Sequence, residues 1–301
     1  MIALLFVAAT LRISVPYVLA ALGATFSERG GVITIALEGI MLNSALAYVL
    51  GAWGTHSPWF GVGCAIAAGM LTAWLHALIT VRLRADQITS GLAINLLAAG
   101  LTKFVLHAVF HSSSNSEQVV GFEPLPLLGL EHLPGIGAVI ASPLVLLAIV
   151  LVVASQTVLF RSVFGLRLRA VGEHPQAAAT LGLHVERYRV AGVLMAGAFA
   201  GLAGAWLASE QRSFTDGMTG GRGYIAIAAM IVGKWSPLGA ALACLMFGAA
   251  EALQITLQGS FLPTELMQML PYLVTMLVLA GFIGRATPPK ALGTPYDPEK
   301  A

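Results

Sequence analysis

Seven side chains lie in or beside long apolar runs, where a polar solute crossing a membrane would meet them: Glu38, Asn43, Ser90, Asn95, Phe214, Tyr224 and Glu251. A carboxylate within hydrocarbon costs roughly 2.5–3.5 kcal/mol unless it is paired or faces water. Glu38, about two turns into the second apolar run, therefore needs a partner or a task. It reads as an acceptor for hydroxyl or N–H groups of a solute or as a lock holding a broken helix; the plainer alternative is a structural pair with an Arg or a backbone amide. Glu251 is its counterpart late in the chain. Asn43, Ser90 and Asn95 suit either a polar path or hydrogen bonds between helices. The rings of Phe214 and Tyr224 suit stacking on a planar solute or anchoring at the membrane interface.

Covalent chemistry has no such footing. The chain has no HExxH, no paired catalytic carboxylates, no nucleophile beside a base and no GxxxxGK[ST] phosphate loop. No metal site is expected, and any ATP hydrolysis belongs to another polypeptide. Cys64 and Cys244, both in apolar runs, read as buried free thiols.

The elements that must position these residues are membrane helices. Of 301 residues 57% are hydrophobic and 10% charged, with a mean hydropathy of +0.85, against roughly 25% charge in an ordinary soluble domain. Apolar runs recur at 2–25, 31–51, 58–80, 87–110, 137–159, 190–210, 223–234, 237–257 and 267–284. Most approach the roughly 20 residues that span a bilayer; 223–234 is too short to do so unaided. The runs lack the alternation of a barrel strand, so the expected class is all-α and polytopic, about nine segments in one domain over 1–301. The N-terminus has no basic stretch before its apolar run and reads as a first helix rather than a signal peptide.

Basic residues set the orientation. Arg82, Arg84, Arg161, Arg167, Arg169, Arg187, Arg189, Arg285, Lys290 and Lys300 cluster where the chain should be cytoplasmic, and Arg29 and Lys234 join them. The N-terminus is then outside and the C-terminus inside. The longest external stretch, His111 to Gly135, contains no Lys or Arg. The net charge of +2 is accounted for by topology and implies no nucleic-acid partner.

Ser57-Pro58 recurs as Ser236-Pro237, and at the same offset Gly54 matches Gly233, Gly69 matches Gly248 and Ala73 matches Ala252. Gly31-Val-Ile-Thr-Ile-Ala echoes Gly223-Tyr-Ile-Ala-Ile-Ala. The topology sends the first copy outward and the second inward, which predicts two inverted halves, about 1–110 and 190–284, each opening on a broken helix. Gly197 and Gly201 in the sixth long run form a small-residue packing face.

Between the halves lies a loop, about 160–189, followed at the far end by a tail, 285–301. Gly172-Glu173-His174-Pro175 predicts a turn, Gln176–Leu181 a short helix and Gly182 its stop. Two helical turns flanked by five Arg have little core of their own and look built to dock, with Ala177, Ala178, Ala179 and Leu181 as the small apolar face. The alternative is a connector resting on the membrane surface.

With these residues in hand, the chain resembles permease subunits of bacterial ATP-binding cassette importers in the ribose, branched-chain amino acid and nucleoside group. Phe26 to Met41 is similar to the Glu-Arg…Leu-Glu-Gly-Met block of the nucleoside and simple-sugar branch. Arg169 to Ala178 resembles the family's coupling helix, and Met218 to Pro237 a third block. Thr34 and His174 stand where the family has, or commonly has, Asn.

The resemblance implies a type II-like importer fold in the bacterial inner membrane. It implies a second, non-identical permease subunit, a cytoplasmic ATPase with two nucleotide-binding modules that holds ATP and Mg, and an extracytoplasmic binding protein that delivers cargo. It implies no cofactor in this chain. The expected cargo is a nucleoside carried by alternating access; a ribose- or galactose-type sugar is the alternative, and ion-coupled secondary transport a more distant one.

Overall fold

A computed structural model describes residues 2–126, 136–257, 269, 273 and 287–297. Among the described residues the regular elements are helices, in the order α1 Ile2–Arg29, α2 Leu37–Thr55, α3 Pro58–Ala77, α4 Gln87–Phe110, α5 Gly137–Ile140, α6 Pro143–Arg161, α7 Val163–Glu173, α8 Pro175–Thr180, α9 Val185–Gln211, α10 Arg222–Val232 and α11 Pro237–Leu257. Among the described residues six spans are long and apolar enough to cross a bilayer: Leu4–Arg29, Pro58–Arg82, Gln87–Phe110, Pro143–Arg161, Val185–Gln211 and Pro237–Leu257. The apolar run 267–284, the last of the nine expected segments, lies mainly outside the described residues.

Local sequence sets the ends. Ser57 caps α3 through the Phe60 amide with Pro58 in the first turn, and Asp86 caps α4 by accepting from the Thr89 amide at 2.7 Å. That bond is the main reason the Asp86 carboxyl lies below its ordinary range. A π-helical turn, Leu78–Arg82, prolongs α3 to its basic end.

The core is built on α1, α2 and α9, with α3 packed across α9. Without a hydrophobic drive between helices in lipid, small residues let backbones approach. A Cβ at Gly201 would lie 2.8 Å from the Ala65 carbonyl, and one at Gly197 would lie 2.6 Å from the Gly69 carbonyl. The expected packing face of the sixth run is therefore the α9–α3 seam. Leu96, Phe104, Ile149 and Leu242 point outward, as a lipid-facing surface requires.

Two stretches interrupt this bundle. Residues 30–36 are unwound between α1 and α2, and residues 212–221 between α9 and α10. The expected pairing of Gly31–Ala36 with Gly223–Ala228 needs correction: the first is unwound and the second helical, because the break in the later segment falls earlier, at 212–221. There Gly217, Gly220 and Gly221 adopt positive φ, which glycine does without steric cost.

Candidate functional site

The short helix α10, 11 residues long, is held at both ends by one segment of the chain. At its start the Gly221 and Gly223 amides donate to the two Glu38 carboxylate oxygens, each at 2.7 Å. At its end the Arg29 guanidinium donates to the carbonyls of Trp235 at 2.8 Å and Lys234 at 3.2 Å. The buried Glu28 carboxylate accepts from the Trp235 indole at 2.7 Å. An anion thus sits at the positive end of the helix dipole and a cation at the negative end. Gly223 is required for this approach, since a Cβ there would lie 2.6 Å from the Glu38 amide nitrogen.

Asn95 does the same for the other break. Its Oδ1 accepts from the Gly39 amide at 2.8 Å, and its Nδ2 donates to the Ile35 carbonyl at 3.0 Å and the Tyr224 hydroxyl at 2.9 Å. Gln87 takes the Ile33 amide at 2.8 Å, and His76 bridges the Ile33 carbonyl and the Ser90 hydroxyl, each at 3.0 Å. Backbone freed within a membrane must find such partners. We predict that Asn95→Ala, which orphans the Gly39 amide and the Ile35 carbonyl, costs about 1–3 kcal/mol for each group left bare. Tyr224→Phe, losing one hydroxyl contact, should cost about 0.5–1.5 kcal/mol. Thermal unfolding of the solubilised protein would rank the two, and equal shifts would contradict the assignment.

The expected site residues separate into groups. Glu38, Asn95 and Tyr224 come together, with Tyr224 44% exposed beside the clamp. Glu38 accepts from two backbone amides at the start of α10. Glu251 lies elsewhere, hydrogen-bonded to Tyr17 and 3.4 Å from Arg222, the first residue of α10. Ser90 is buried against His76. Asn43 donates to Thr72 at 3.2 Å.

Phe214 is not available for stacking: it is 0% exposed. Its carbonyl accepts from the Ser116 amide at 2.9 Å and its amide donates to the Ser116 hydroxyl. The loops around 114–119 and 212–216 are zipped together there, which turns the ring inward.

The connecting loop folds as α7, a turn at His174 and α8, with Gly182 at φ +81°. The expected docking face is corrected by its burial. Ala178 is 3% exposed and packs with Val171, Val185 and Tyr296, and Pro175 is buried too. Gly172 is pressed onto the Arg29 carbonyl. His174, Gln176, Ala177, Thr180, Leu181 and Gly182 face out, Leu181 being 83% exposed, while Glu173 is half-buried and takes the Lys290 amide at 3.4 Å. A six-residue helix has one inner and one outer side, and Tyr296, distant in sequence, decides which is inner.

The tail supplies what the sequence did not signal. Ala291 donates to the Gly172 carbonyl at 2.9 Å and Gly293 to the Gly31 carbonyl at 3.3 Å. Arg189, buried rather than free for headgroups, donates to the Thr294 carbonyl at 2.8 Å. Residues 291–296 therefore strap the loop to the first break. Glu28, Gln87, His76 and Arg222 carry no signal of their roles in the sequence, and Arg29 only that of a topological charge.

These elements give a polytopic helical bundle with two unwound breaks and a clamped half-helix. The family model for the branched-chain amino acid transport system permease component matches residues 6–279, and the chain belongs to that family. It is 42% identical to the guanosine ABC transporter permease protein NupQ of Bacillus subtilis, over 96% of this chain and 95% of that one. It is 40% identical to the nucleoside ABC transporter permease protein NupC of Lactococcus lactis subsp. cremoris, over 98% and 97%. A second guanosine ABC transporter permease protein of Bacillus subtilis, NupP, is 25% identical over 92% and 82%. No solved structure matches the chain significantly.

Proposed function

We infer that the chain is a transmembrane subunit of an ATP-binding cassette importer that moves nucleosides across the bacterial inner membrane. The observation that carries this is likeness at 42% and 40% identity, over nearly the full length, to permease proteins named for guanosine and nucleosides. The chain works beside a second, non-identical permease subunit. Likeness to both NupQ and NupP of one bacterium supports that pairing. A cytoplasmic ATPase with two nucleotide-binding modules holds ATP and Mg, and an extracytoplasmic binding protein delivers cargo. The N-terminus lies outside and the C-terminus inside.

The energy enters at the outward side of α8. The Gly172 contact on Arg29 and the tail strap on Gly31 pass a displacement of α7–α8 to the first break. From there Arg29 and Glu38 hold the two ends of α10, so that helix moves with the break. Asn95, Tyr224 and Glu38 then form the polar face that cargo passes. Interactions between rigid elements with two arrangements are what such coupling needs.

Cells expressing the whole transporter should take up radiolabelled guanosine, with competition by other nucleosides and none by ribose or glucose. Uptake competed by a free sugar and not by nucleosides would remove the cargo assignment.

A further inference from the structure

Beside α8 lies a groove that nothing in the transport cycle accounts for. It is a cavity of about 1020 Å³ between α3 and α9, rimmed by Ala179, Gly182 and Leu183. Its wall is apolar, formed by Trp74, Leu78, Val190 and Leu194; its mouth carries Arg82, His184 and Arg187, against one acidic residue, Glu186. Arg82 and Arg187 are exposed and make no ion pair among the described residues, whereas nearby Arg84 pairs with Asp297 at 3.0 Å.

Arg82 ends one candidate span and Arg187 lies in the first turn of another, Val185–Gln211. Both guanidiniums therefore stand at the same membrane boundary. Trp74 is eight residues back from Arg82 and Leu194 nine on from Val185, so the apolar wall runs roughly 12–14 Å into the hydrocarbon layer at 1.5 Å per helical residue. We propose that this groove is a binding site for an anionic phospholipid. Its phosphate lies between Arg82 and Arg187 and its acyl chain along Trp74, Val190 and Leu194.

The arrangement matches the amphipathy of a lipid. A soluble domain cannot follow the wall to that depth, and an apolar membrane helix brings no anion to two unpaired guanidiniums. Basic pockets between membrane helices recognise headgroups through charge, at roughly 1 kcal/mol for each basic side chain. A lipid seated there underlies the rim of α8 and props the loop that meets the ATPase. The inference does not depend on which cargo is carried.

The test is native mass spectrometry of the purified, delipidated full chain offered phosphatidylglycerol and phosphatidylcholine. We expect phosphatidylglycerol to be retained selectively, and R82Q combined with R187Q to weaken retention about 30-fold. Arg161→Gln removes a charge at the same boundary outside the groove and should change nothing. Leu194→Trp fills the wall and should release the lipid with both guanidiniums intact. Equal retention of the two lipids, an equal loss in Arg161→Gln, or retention unchanged by both groove variants would overturn the proposal. Displacement by inorganic phosphate at constant ionic strength would assign the mouth to a soluble anion instead. Crosslinks from position 187 that capture the ATPase would assign it to that subunit.

Discussion

Replacing Glu38 with Ala is expected to abolish uptake by the assembled transporter, to less than about a tenth of the wild-type rate, and to lower the melting temperature of the chain. The carboxylate accepts both amides at the start of α10, each at 2.7 Å. Hydrogen bonds to a charged group contribute about 1.5–3 kcal/mol apiece, and an amide left bare adds its own desolvation cost. Glu38→Gln should not rescue the function, because its amide group offers a donor to one of two donors. Glu38→Asp is one methylene too short for the same span. If Glu38 instead touched cargo without holding the helix, the Ala variant would lose uptake while melting like the wild type.

Leu181→Asp is expected to separate transport from ATP hydrolysis. The side chain is 83% exposed on the outward side of the loop, and burying a leucine is worth about 1.5–3 kcal/mol, a factor of roughly 10 to 150 in association. The variant should fold normally, bind the ATPase at least about tenfold more weakly, and lose cargo-dependent stimulation of hydrolysis. Ala178→Asp makes a contrast. Ala178 packs inward against Val171, Val185 and Tyr296, so a charge there should destabilise the chain itself. Normal ATPase affinity in the Leu181 variant would place the docking surface elsewhere.

The helices were legible from hydropathy because lipid demands long apolar runs, and Gly197 and Gly201 announced a close seam by their spacing. The α8 helix was legible too, from Pro175 and Gly182. Its orientation was not, since Tyr296 turns Ala178 inward from more than a hundred positions away. Glu38 was marked by the cost of a carboxylate in hydrocarbon, yet its partners are backbone amides, which every residue carries and no spacing reveals. Phe214 failed as a stacking ring because pairing of its backbone with Ser116, a long-range contact, decides where the ring points. Arg29 was noticed only as a topological charge; that it closes the far end of α10 depends on the break that precedes α2.

Nucleosides move inward through this chain with energy delivered by an ATPase. The measurement that bears on it most directly is guanosine uptake into proteoliposomes holding the chain with its second permease subunit and ATPase, with the binding protein added outside. Accumulation should require ATP and the binding protein and be indifferent to ion gradients. Accumulation driven by an ion gradient with the purified chain alone, without ATP, would show a secondary transporter instead.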